Sequence, residues 1–324
     1  MCTAISFKGR DFYFGRTLDT EYDFGEEIVF TRRLFPHFSE NDRGRYAIIG
    51  MAKVVSEKPL FFDGMNECGL CMAALNYGKL AVYYPPHGDK NEMEPYKLIP
   101  YILSTCKNLA EARSALNNIT LVNRAPASNM PVAELHFIIA DSTGAITVEP
   151  DAKGLSVYEN ELGVLTNAPS FPFHLQNLNL HLNLTANEAE NSFSNRLILK
   201  APCRGLGAVG LPGDPSSPSR FIRACFYKFN TPPLDGAEGE CVSGILRVLD
   251  ATGQILGSVR VKDGAVKTRY TACMNANTGM YYYTTYGNPR ITAVSMLLED
   301  ADGDGMTVFP LRKDADILLE NRKI

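Results

Sequence analysis

The sequence predicts an α+β fold in which two antiparallel β-sheets lie between layers of helix. Strand-like segments dominate the first eighty residues, residues 134–166 and the chain from residue 266, and helical periodicity occupies residues 98–116 and 217–250 between them. Of the 324 residues, 45% are hydrophobic, which is enough for a sizeable core. No internal repeat or low-complexity linker divides the chain, so we expect one domain spanning residues 1–324.

The first predicted element is a β-hairpin. Residues 2–7 are typical of a strand, Lys8-Gly9-Arg10-Asp11 of a turn, and residues 12–16 of the returning strand. Closing this hairpin would bring Arg16 and Asp19 back beside Cys2. Further strands are predicted at residues 27–31, 46–55 and 69–76.

Two short helices and a second hairpin follow. Four-residue spacing from Leu98 to Cys106 indicates the first helix, and Leu109, Ala112 and Leu116 would share one face of the second. Residues 123–130 form a polar, proline-containing loop. Strands at 134–140 and 145–149, joined by a glycine-containing turn, predict a hairpin, and residues 156–158 and 163–166 continue its sheet.

Residues 174–200 are rich in Asn and Leu and end in a polar, helix-like tail. Their leucines hold no single period, so we expect an excursion from the sheet and a candidate subunit contact. A helix then begins at Ser217-Pro218, with Phe221, Cys225 and Phe229 on a common face, and a second helix covers residues 240–250. Strands are predicted at 266–274, 280–286, 290–299 and 307–310.

Charge and composition exclude several classes of protein. The net charge is −4 without a basic run, which argues against nucleic-acid binding. No apolar stretch reaches about 18 residues, so no membrane span is predicted. The N-terminus lacks a basic region followed by an apolar run, so we expect no secretory signal and a cytoplasmic location.

The eight cysteines are expected to be reduced thiols. Cys68-Gly69-Leu70-Cys71 resembles a redox or zinc pair, but no second pair and no His-x-x-x-His follow it. We therefore interpret Cys68 and Cys71 as small core residues and expect no metal and no cofactor.

Two other motifs are weak matches. Residues 205–210 fit GxGxxG, but Pro212 and Pro215 follow at once, where a dinucleotide site needs a helix. Residues 300–305 match the start of a calcium loop, but Leu311 stands where the bidentate Glu belongs. We interpret the first as a flexible loop and the second as a hairpin turn.

Cys2 is the strongest candidate for chemistry. Removal of Met1 would give this residue a nucleophilic thiol and a free α-amine together, and an α-amine with a pKa of about 7.7–8.0 can take the thiol proton near neutrality. A guanidinium at Arg16 would favour thiolate, and a carboxylate at Asp19 would orient the amine. The alternative is that Arg16 and Asp19 form an ordinary surface pair.

Several motifs in one order carry a resemblance over nearly the whole chain. They are Met1-Cys2-Thr3, Phe14-Gly15-Arg16-Thr17-Leu18-Asp19, Asp63-Gly64-Met65-Asn66-Glu67, Gly69-Leu70, Leu75-Asn76-Tyr77, Leu165-Thr166-Asn167-Ala168-Pro169, Leu211-Pro212-Gly213-Asp214, Ser219-Arg220-Phe221 and Thr268-Arg269-Tyr270. With them the chain resembles the choloylglycine hydrolases, N-terminal-nucleophile (Ntn) amidases that include bile salt hydrolases and penicillin V acylases. The resemblance implies a four-layer αββα sandwich and a homotetramer.

The resemblance also implies roles for six residues. Cys2 would be the nucleophile and its amine the general base, with Arg16 and Asp19 flanking them. Asn76 and Asn167 would frame the oxyanion, and Arg220 would complete the polar site.

The implied substrates are conjugated bile salts, because bile salt hydrolases of this family have Asn at the position of Asn76, where a penicillin V acylase branch has Tyr. Leu18 and Phe24 are candidates for the steroid-binding wall, although simple core packing explains them equally well. Two alternatives stay open: a penicillin V acylase or other N-acyl amide hydrolase, and a binding protein that keeps the fold without turnover.

Overall fold

The structure, a computed structural model, describes residues 1–38 and 43–321. Within these ranges the backbone forms eighteen strands and five α-helices. The strands are β1 (Cys2–Lys8), β2 (Phe12–Thr20), β3 (Glu27–Thr31), β4 (Ile48–Val55), β5 (Lys58–Phe61), β6 (Asp63–Asn66), β7 (Cys71–Asn76), β8 (Glu92–Met93), β9 (Thr120–Leu121), β10 (Leu135–Asp141), β11 (Gly144–Asp151), β12 (Gly154–Glu159), β13 (Val164–Leu165), β14 (Val259–Val261), β15 (Gly264–Asn275), β16 (Met280–Thr285), β17 (Thr292–Ser295) and β18 (Met306–Pro310). The helices are α1 (Leu98–Thr105), α2 (Leu109–Leu116), α3 (Phe171–Asn179), α4 (Ser217–Asn230) and α5 (Glu238–Asp250).

Most strands belong to two large antiparallel sheets. In the described ranges, sheet one runs β13-β1-β2-β15-β16-β17, with β14 paired to β15. Sheet two runs β12-β11-β10-β7-β6-β4-β3-β18, with β5 paired to β4. In sheet one, β2 from the beginning of the chain pairs with β15 from its last third. The residues around Cys2 therefore come from segments that are distant in sequence.

Helices cover the outer face of each sheet. α1 and α2 pack on sheet two, against β6, β7 and β10, and α4 and α5 pack on sheet one, against β1, β2 and β15. Apolar residues of α1, such as Leu98 and Ile102, are fully buried against sheet two. The α+β prediction, with two antiparallel sheets between helical layers, is confirmed.

Close packing between α5 and β2 fixes which way β2 faces. A Cβ at Gly15 would lie 2.8 Å from the Ala272 carbonyl oxygen and 2.8 Å from Leu249 of α5, so a side chain has no space there. Because strand side chains alternate, Arg16 is turned to the opposite face, toward sheet two. The Asp19 side chain, three residues further along β2, lies on the face of sheet one that α4 and α5 cover.

Most predicted elements are present, with shifted bounds. The returning strand of the first hairpin continues to Thr20, and both hairpins pair as expected. The strand predicted at 46–55 begins at Ile48. The strand predicted at 290–299 is shorter, because β17 ends at Ser295 and a 3₁₀ turn follows.

The segment 174–200 differs from its prediction. Its helix lies at the beginning, in α3, and the described tail is not helical. Ser170 precedes this helix and Pro172 stands in its first turn, where proline is tolerated because its missing N–H has no helical partner. The helix-like tail predicted at the end of this segment is therefore wrong, because the helix ends at Asn179.

Two positions, one predicted in the core and one predicted on a shared helix face, differ in the structure. Cys71 is buried in β7, but Cys68 is exposed. The Asn66 side chain accepts hydrogen bonds from the backbone N–H groups of Cys68 and Leu70, which forms a tight turn with Cys68 on its outside. Phe229 is also exposed, because eight residues after Phe221 a helix has turned about 80° away from the buried line.

Among the helices of the described ranges, none combines the length and apolar character needed to cross a membrane.

Candidate active site

Cys2 lies at the start of β1, between β13 and β2, and its side chain is 3% exposed. In the β1–β2 ladder Cys2 is opposite Leu18, and Ala4 is opposite Arg16. Residues that face each other across an antiparallel pair point to the same side, so Cys2, Arg16 and Leu18 share the face toward sheet two. Arg16 is thus the diagonal neighbour of Cys2.

Arg16 is fully buried and is held by several oxygen atoms. Its Nε donates to its neighbour Thr17's carbonyl oxygen at 3.1 Å, and its Nη1 donates to the Phe62 carbonyl oxygen at 3.1 Å. Nη1 also lies 3.5 Å from Asp63 Oδ2. Burial alone would lower the pKa of Arg16, but Tyr270, Cys2 and Asp63 together raise it above its ordinary value.

Asp19 lies on the helical side of β2 and is fully buried. Its Oδ1 accepts the Thr268 hydroxyl at 2.7 Å, and its Oδ2 accepts the Thr17 hydroxyl at 3.1 Å. Burial raises the pKa of Asp19, and the positive charges of Arg220 and the chain's α-ammonium group oppose that rise. Arg16 and Asp19 therefore flank the first residues from opposite faces of one strand.

Met1 extends the β1–β2 pairing by one residue. The Asp19 backbone N–H donates to the Met1 carbonyl oxygen at 2.8 Å, and the Met1 α-amine donates to the Asp19 carbonyl oxygen. In this state the Cys2 nitrogen is an amide nitrogen, and it donates to Asn167 Oδ1 at 2.7 Å. Excision of Met1 would leave the same nitrogen as a free amine that faces Asn167 and adjoins Asp19.

Asn167, two residues after β13, makes hydrogen bonds through both atoms of its side-chain amide and through both of its backbone polar groups. Its Oδ1 accepts from the Cys2 nitrogen and, at 2.6 Å, from Arg220 Nη2. Its Nδ2 donates to the Asn76 carbonyl oxygen at 2.7 Å. Its backbone N–H donates to the Ser217 hydroxyl at 2.8 Å, and its carbonyl oxygen lies 2.8 Å from His174 Nε2. Such a set of contacts fixes the side chain in one orientation.

Arg220 is fully buried in the first turn of α4. Its Nη1 donates to the Cys2 carbonyl oxygen and, at 2.8 Å, to the Thr3 hydroxyl. Its Nε donates to the Pro215 carbonyl oxygen at 3.0 Å. Burial lowers the pKa of Arg220 although Asp19 and Cys2 oppose this. The guanidinium thus joins β1, the loop before α4 and Asn167.

Asn76 ends β7, and its side chain is exposed. Its Oδ1 accepts the Gly78 backbone N–H at 3.1 Å. Its link to the other site residues is its backbone carbonyl, which accepts from Asn167 as described. Since that contact uses one N–H of the Asn167 amide, a second N–H of the same group is left for a ligand.

The two expected wall residues occupy different positions. Leu18 is 6% exposed and lies directly opposite Cys2. Phe24 is partly buried in the loop after β2, with its ring centroid 5.5 Å from that of Phe62 and 6.1 Å from that of Tyr22. Because the Phe62 carbonyl also contacts Arg16, this aromatic row adjoins the Cys2 site.

The polar groups beneath Arg16 were missed from the sequence. Asp63, Tyr270 and Tyr281 are fully buried, and both hydroxyls donate to the Asp63 carboxylate. Asp63 and Tyr270 stand in the motifs that carry the family resemblance, which was the available signal. No motif contains Tyr281.

The two weak motifs have structural explanations. Gly205 precedes a 3₁₀ turn of three residues rather than a helix. The 300–305 segment is not the expected hairpin turn, because β17 before it pairs with β16 in sheet one and β18 after it pairs with β3 in sheet two. Asp302 lies 2.5 Å from Arg33 and Asp304 lies 3.5 Å from Arg43, so two of its three carboxylates are paired with arginines. In the described part of the chain, no cluster of three or more His, Cys, Asp or Glu side chains is arranged to hold a metal ion.

Comparison with known proteins gives one consistent family. The model of the family described as linear amide C–N hydrolases, choloylglycine hydrolase family, matches residues 2–309. A bile salt hydrolase/transferase from Lactiplantibacillus plantarum is 38% identical over 99% of this chain and 100% of its own length. A second, from Clostridium perfringens, is 33% identical over 98% of this chain and 99% of its own.

Solved structures agree with this similarity. A mutant conjugated bile acid hydrolase from Clostridium perfringens superposes with a TM-score of 0.92, at 32% identity, over 99% of this chain and 100% of that one. A penicillin V acylase from Agrobacterium tumefaciens, at 19% identity, has a TM-score of 0.75 over 96% of this chain and 92% of its own, and shares the fold.

Proposed function

This chain belongs to the choloylglycine hydrolase family of linear amide C–N hydrolases, and we propose that it cleaves glycine- or taurine-conjugated bile salts. The products are the free bile acid and the amino acid, and the intermediate is a thioester on Cys2. The observation that carries this proposal is the placement of Cys2 at the start of β1, with Arg16 on its side-chain face and Asn167 on its nitrogen. The mature chain begins at Cys2.

The reaction begins when the free amine of Cys2 takes the thiol proton and the sulfur attacks the amide carbonyl carbon. The carbonyl electron pair moves to its oxygen, which becomes an oxyanion. Collapse of this intermediate re-forms the carbonyl, breaks the C–N bond and passes the ammonium proton to the departing nitrogen. A water molecule, deprotonated by the same amine, then attacks the thioester, and cleavage of the C–S bond restores the thiol.

Each remaining site residue has a role in this sequence. Arg16 favours the thiolate, and Asp19 and Asn167 Oδ1 orient the amine. The second N–H of Asn167 Nδ2 and the Asn76 side chain donate to the oxyanion, since neutral amide donors aimed at developing charge stabilise the transition state. Arg220 holds Asn167 and the Cys2 carbonyl in place through its hydrogen bonds.

The preference for bile salts rests on Asn76 and on the names of the relatives. A steroid needs an apolar wall near the nucleophile, and Leu18, Phe24, Tyr22 and Phe62 supply one. Penicillin V hydrolysis is the alternative reaction with the same machinery. A non-catalytic binding protein is the alternative from another class, but binding alone does not need a buried thiol placed beside its own amine.

The names of the relatives, bile salt hydrolase/transferase, favour a second reaction of the thioester intermediate, which is transfer of the acyl group to an amine. If an amine rather than water attacks it, a new amide forms and the same thiol is released. Incubating free amino acids with glycocholate and the enzyme, and measuring new conjugates by mass spectrometry, tests this outcome against hydrolysis alone.

We also propose a homotetrameric, cytoplasmic, single-domain enzyme. The segment 174–200 supports the assembly, because Leu180, Leu182 and Ile198 are 77%, 87% and 91% exposed on the isolated chain. Burial of this segment in a neighbouring subunit would cover that apolar surface.

The proposed function is tested by turnover of glycocholate, taurocholate and penicillin V side by side, with protein whose intact mass shows that Met1 is absent. Release of glycine or taurine at a rate well above that of penicillin V cleavage supports the proposal. Equal or greater penicillin V cleavage would favour the acylase, and no cleavage of any substrate would favour the binding protein. Cys68→Ala is the matched control for Cys2→Ala, because it removes an exposed thiol far along the chain.

A further inference from the structure

The buried carboxylate below Arg16 is not used by the proposed reaction and needs an explanation. Asp63 lies in β6 of sheet two, while Arg16, Tyr270 and Tyr281 lie in β2, β15 and β16 of sheet one. All four residues are fully buried. Asp63 therefore reaches across the interface between the two sheets to the strand beside the nucleophile.

The contacts of Asp63 are short and directed. Its Oδ2 accepts the Tyr270 hydroxyl at 2.5 Å, and its Oδ1 accepts the Tyr281 hydroxyl at 2.6 Å. The same Oδ2 lies 3.5 Å from Arg16 Nη1. Tyr270 also contacts Arg16 directly, since its hydroxyl is 3.4 Å from Nη1 and its ring centroid is 5.7 Å from Cζ. The two tyrosines thus orient the carboxylate, and the carboxylate and Tyr270 orient the guanidinium.

These contacts use only one end of the guanidinium. Nε and Nη1 donate to carbonyl oxygens, and Nη1 faces Asp63, but Nη2 is buried without a hydrogen-bond partner among the described residues. A buried donor of a charged group that lacks an acceptor is costly unless a ligand or a charged neighbour uses it. The Cys2 sulfur, the diagonal neighbour of Arg16 on the same face, is such a neighbour when it is a thiolate.

We propose that Asp63, held by the Tyr270 and Tyr281 hydroxyls, is a positioning residue that fixes Arg16 so that its free end serves the Cys2 thiolate. The inference rests on the proposed function of Cys2 as nucleophile and deepens it. Asp63 does not touch the substrate. It acts through Arg16, and the two tyrosines act through Asp63.

The charges around Asp63 agree with this role. Burial raises the pKa of Asp63, while Arg16 and the Tyr270 and Tyr281 hydrogen bonds oppose that rise. Among the described residues, Cys71 on β7 is a further titratable group near Asp63, and burial raises the pKa of this thiol well above its ordinary value. Loss of one tyrosine hydroxyl would therefore remove one of the contacts that hold the carboxylate in place and weaken its pairing with Arg16.

The test is Tyr281→Phe, which removes the hydroxyl and keeps the ring. The matched control is Tyr283→Phe on the same strand, because Tyr283 is also buried but its hydroxyl accepts from the Arg312 backbone. The readout is the rate of Cys2 alkylation by iodoacetamide from pH 5 to 9, resolved by peptide mass spectrometry. The exposed Cys68 serves as the internal reference.

We expect Tyr281→Phe to slow Cys2 alkylation about tenfold at pH 6, to move the alkylation profile toward higher pH and to lower kcat with little change in KM. The reason is geometric: without the Tyr281 hydroxyl the Asp63 carboxylate loses one of the two contacts that aim it at Arg16, and a guanidinium that is no longer fixed favours the neighbouring thiolate less. Tyr283→Phe should leave the profile unchanged. Asp63→Asn should show the larger effect, and thermal unfolding shows whether that variant still folds.

A purely structural role predicts that both tyrosine variants lose stability and that neither moves the alkylation profile. That result would overturn the inference and leave the proposed function intact. Retained turnover in Cys2→Ala would instead remove the proposed function, whatever the alkylation profile shows.

Discussion

Replacement of Asn167 by Ala tests the centre of the proposed mechanism. The change removes three hydrogen bonds: from the Cys2 nitrogen at 2.7 Å, from Arg220 Nη2 at 2.6 Å, and to the Asn76 carbonyl oxygen at 2.7 Å. It also removes the second N–H of Nδ2, which is the proposed donor to the oxyanion. The side chain therefore orients the base in the ground state and stabilises charge in the transition state.

The two effects have different magnitudes. Loss of one oxyanion donor costs about 10²–10³ in kcat, or about 2.7–4 kcal/mol, with a modest change in KM because the contact strengthens in the transition state. Loss of the acceptor for the buried Arg220 should lower the free energy of unfolding by about 1.5–3 kcal/mol, the usual value of a hydrogen bond to a charged group. We therefore expect a folded, less stable enzyme with kcat reduced at least about a hundredfold.

The assay combines steady-state kinetics on glycocholate with Cys2 alkylation, since alkylation forms no oxyanion. Alkylation should fall much less than kcat, and the difference measures the oxyanion contact. Asn160→Ala is the matched control, because Asn160 is also buried and donates to the Thr147 hydroxyl and the Val164 carbonyl oxygen instead. A rise in KM alone, or equal losses in alkylation and kcat, would refute the oxyanion role.

Three further predictions follow from named contacts. Cys2→Ala should abolish hydrolysis with the fold retained and Cys2→Ser should be nearly inactive, so turnover in either at a tenth of wild type would end the nucleophile role. Deletion of residues 178–189 should shift the mass measured by light scattering to dimer or monomer, and an unchanged tetramer would exclude the contact. Burial lowers the pKa of Lys228 to about 8 from its ordinary 10.5, so between these values the unfolded chain binds more protons at this group, and the contribution of Lys228 to stability rises with pH there. Lys228→Met should remove this contribution, so the free energy of unfolding of wild type minus that of the variant should increase from pH 8 to pH 10 in denaturant titrations, and a constant difference would contradict it.

The hairpin at the N-terminus was predictable because its partners are close in sequence. Strand periodicity and a turn at residues 8–11 are enough to place Arg16 and Asp19 near Cys2. The alternation of strand side chains also places these two residues on opposite faces of β2, which agrees with the separate roles that we propose for them, one at the thiol and one at the amine.

Contacts across layers were not predictable in the same way. Asp63 lies 207 residues from Tyr270 and 218 from Tyr281, and no local period indicates which strands of two sheets will face each other. The resemblance marked Asn167 and Arg220 but not the network of hydrogen bonds around Asn167. Cys68 was misplaced because the Asn66 side chain holds a turn with the backbone of Cys68 and Leu70, and the strand begins only after it, at Cys71.

The pairing of Met1 with Asp19 has a consequence for the timing of maturation. An aminopeptidase has to reach the first peptide bond, but in the folded chain Met1 is half-buried and paired with Asp19. A β-hairpin closes in about 1–10 μs, whereas a ribosome adds about 5–20 residues per second. Two strands alone are only marginally stable, and the strands that flank this pair, β13 and β15, begin at Val164 and Gly264. Synthesis of the first 264 residues takes roughly 13 to 53 seconds at that rate, and we expect processing to occur within this interval, before the flanking strands fix the ladder. A chain that misses this interval would be trapped as a folded but uncleaved zymogen, and we expect rapid overproduction to enrich that form.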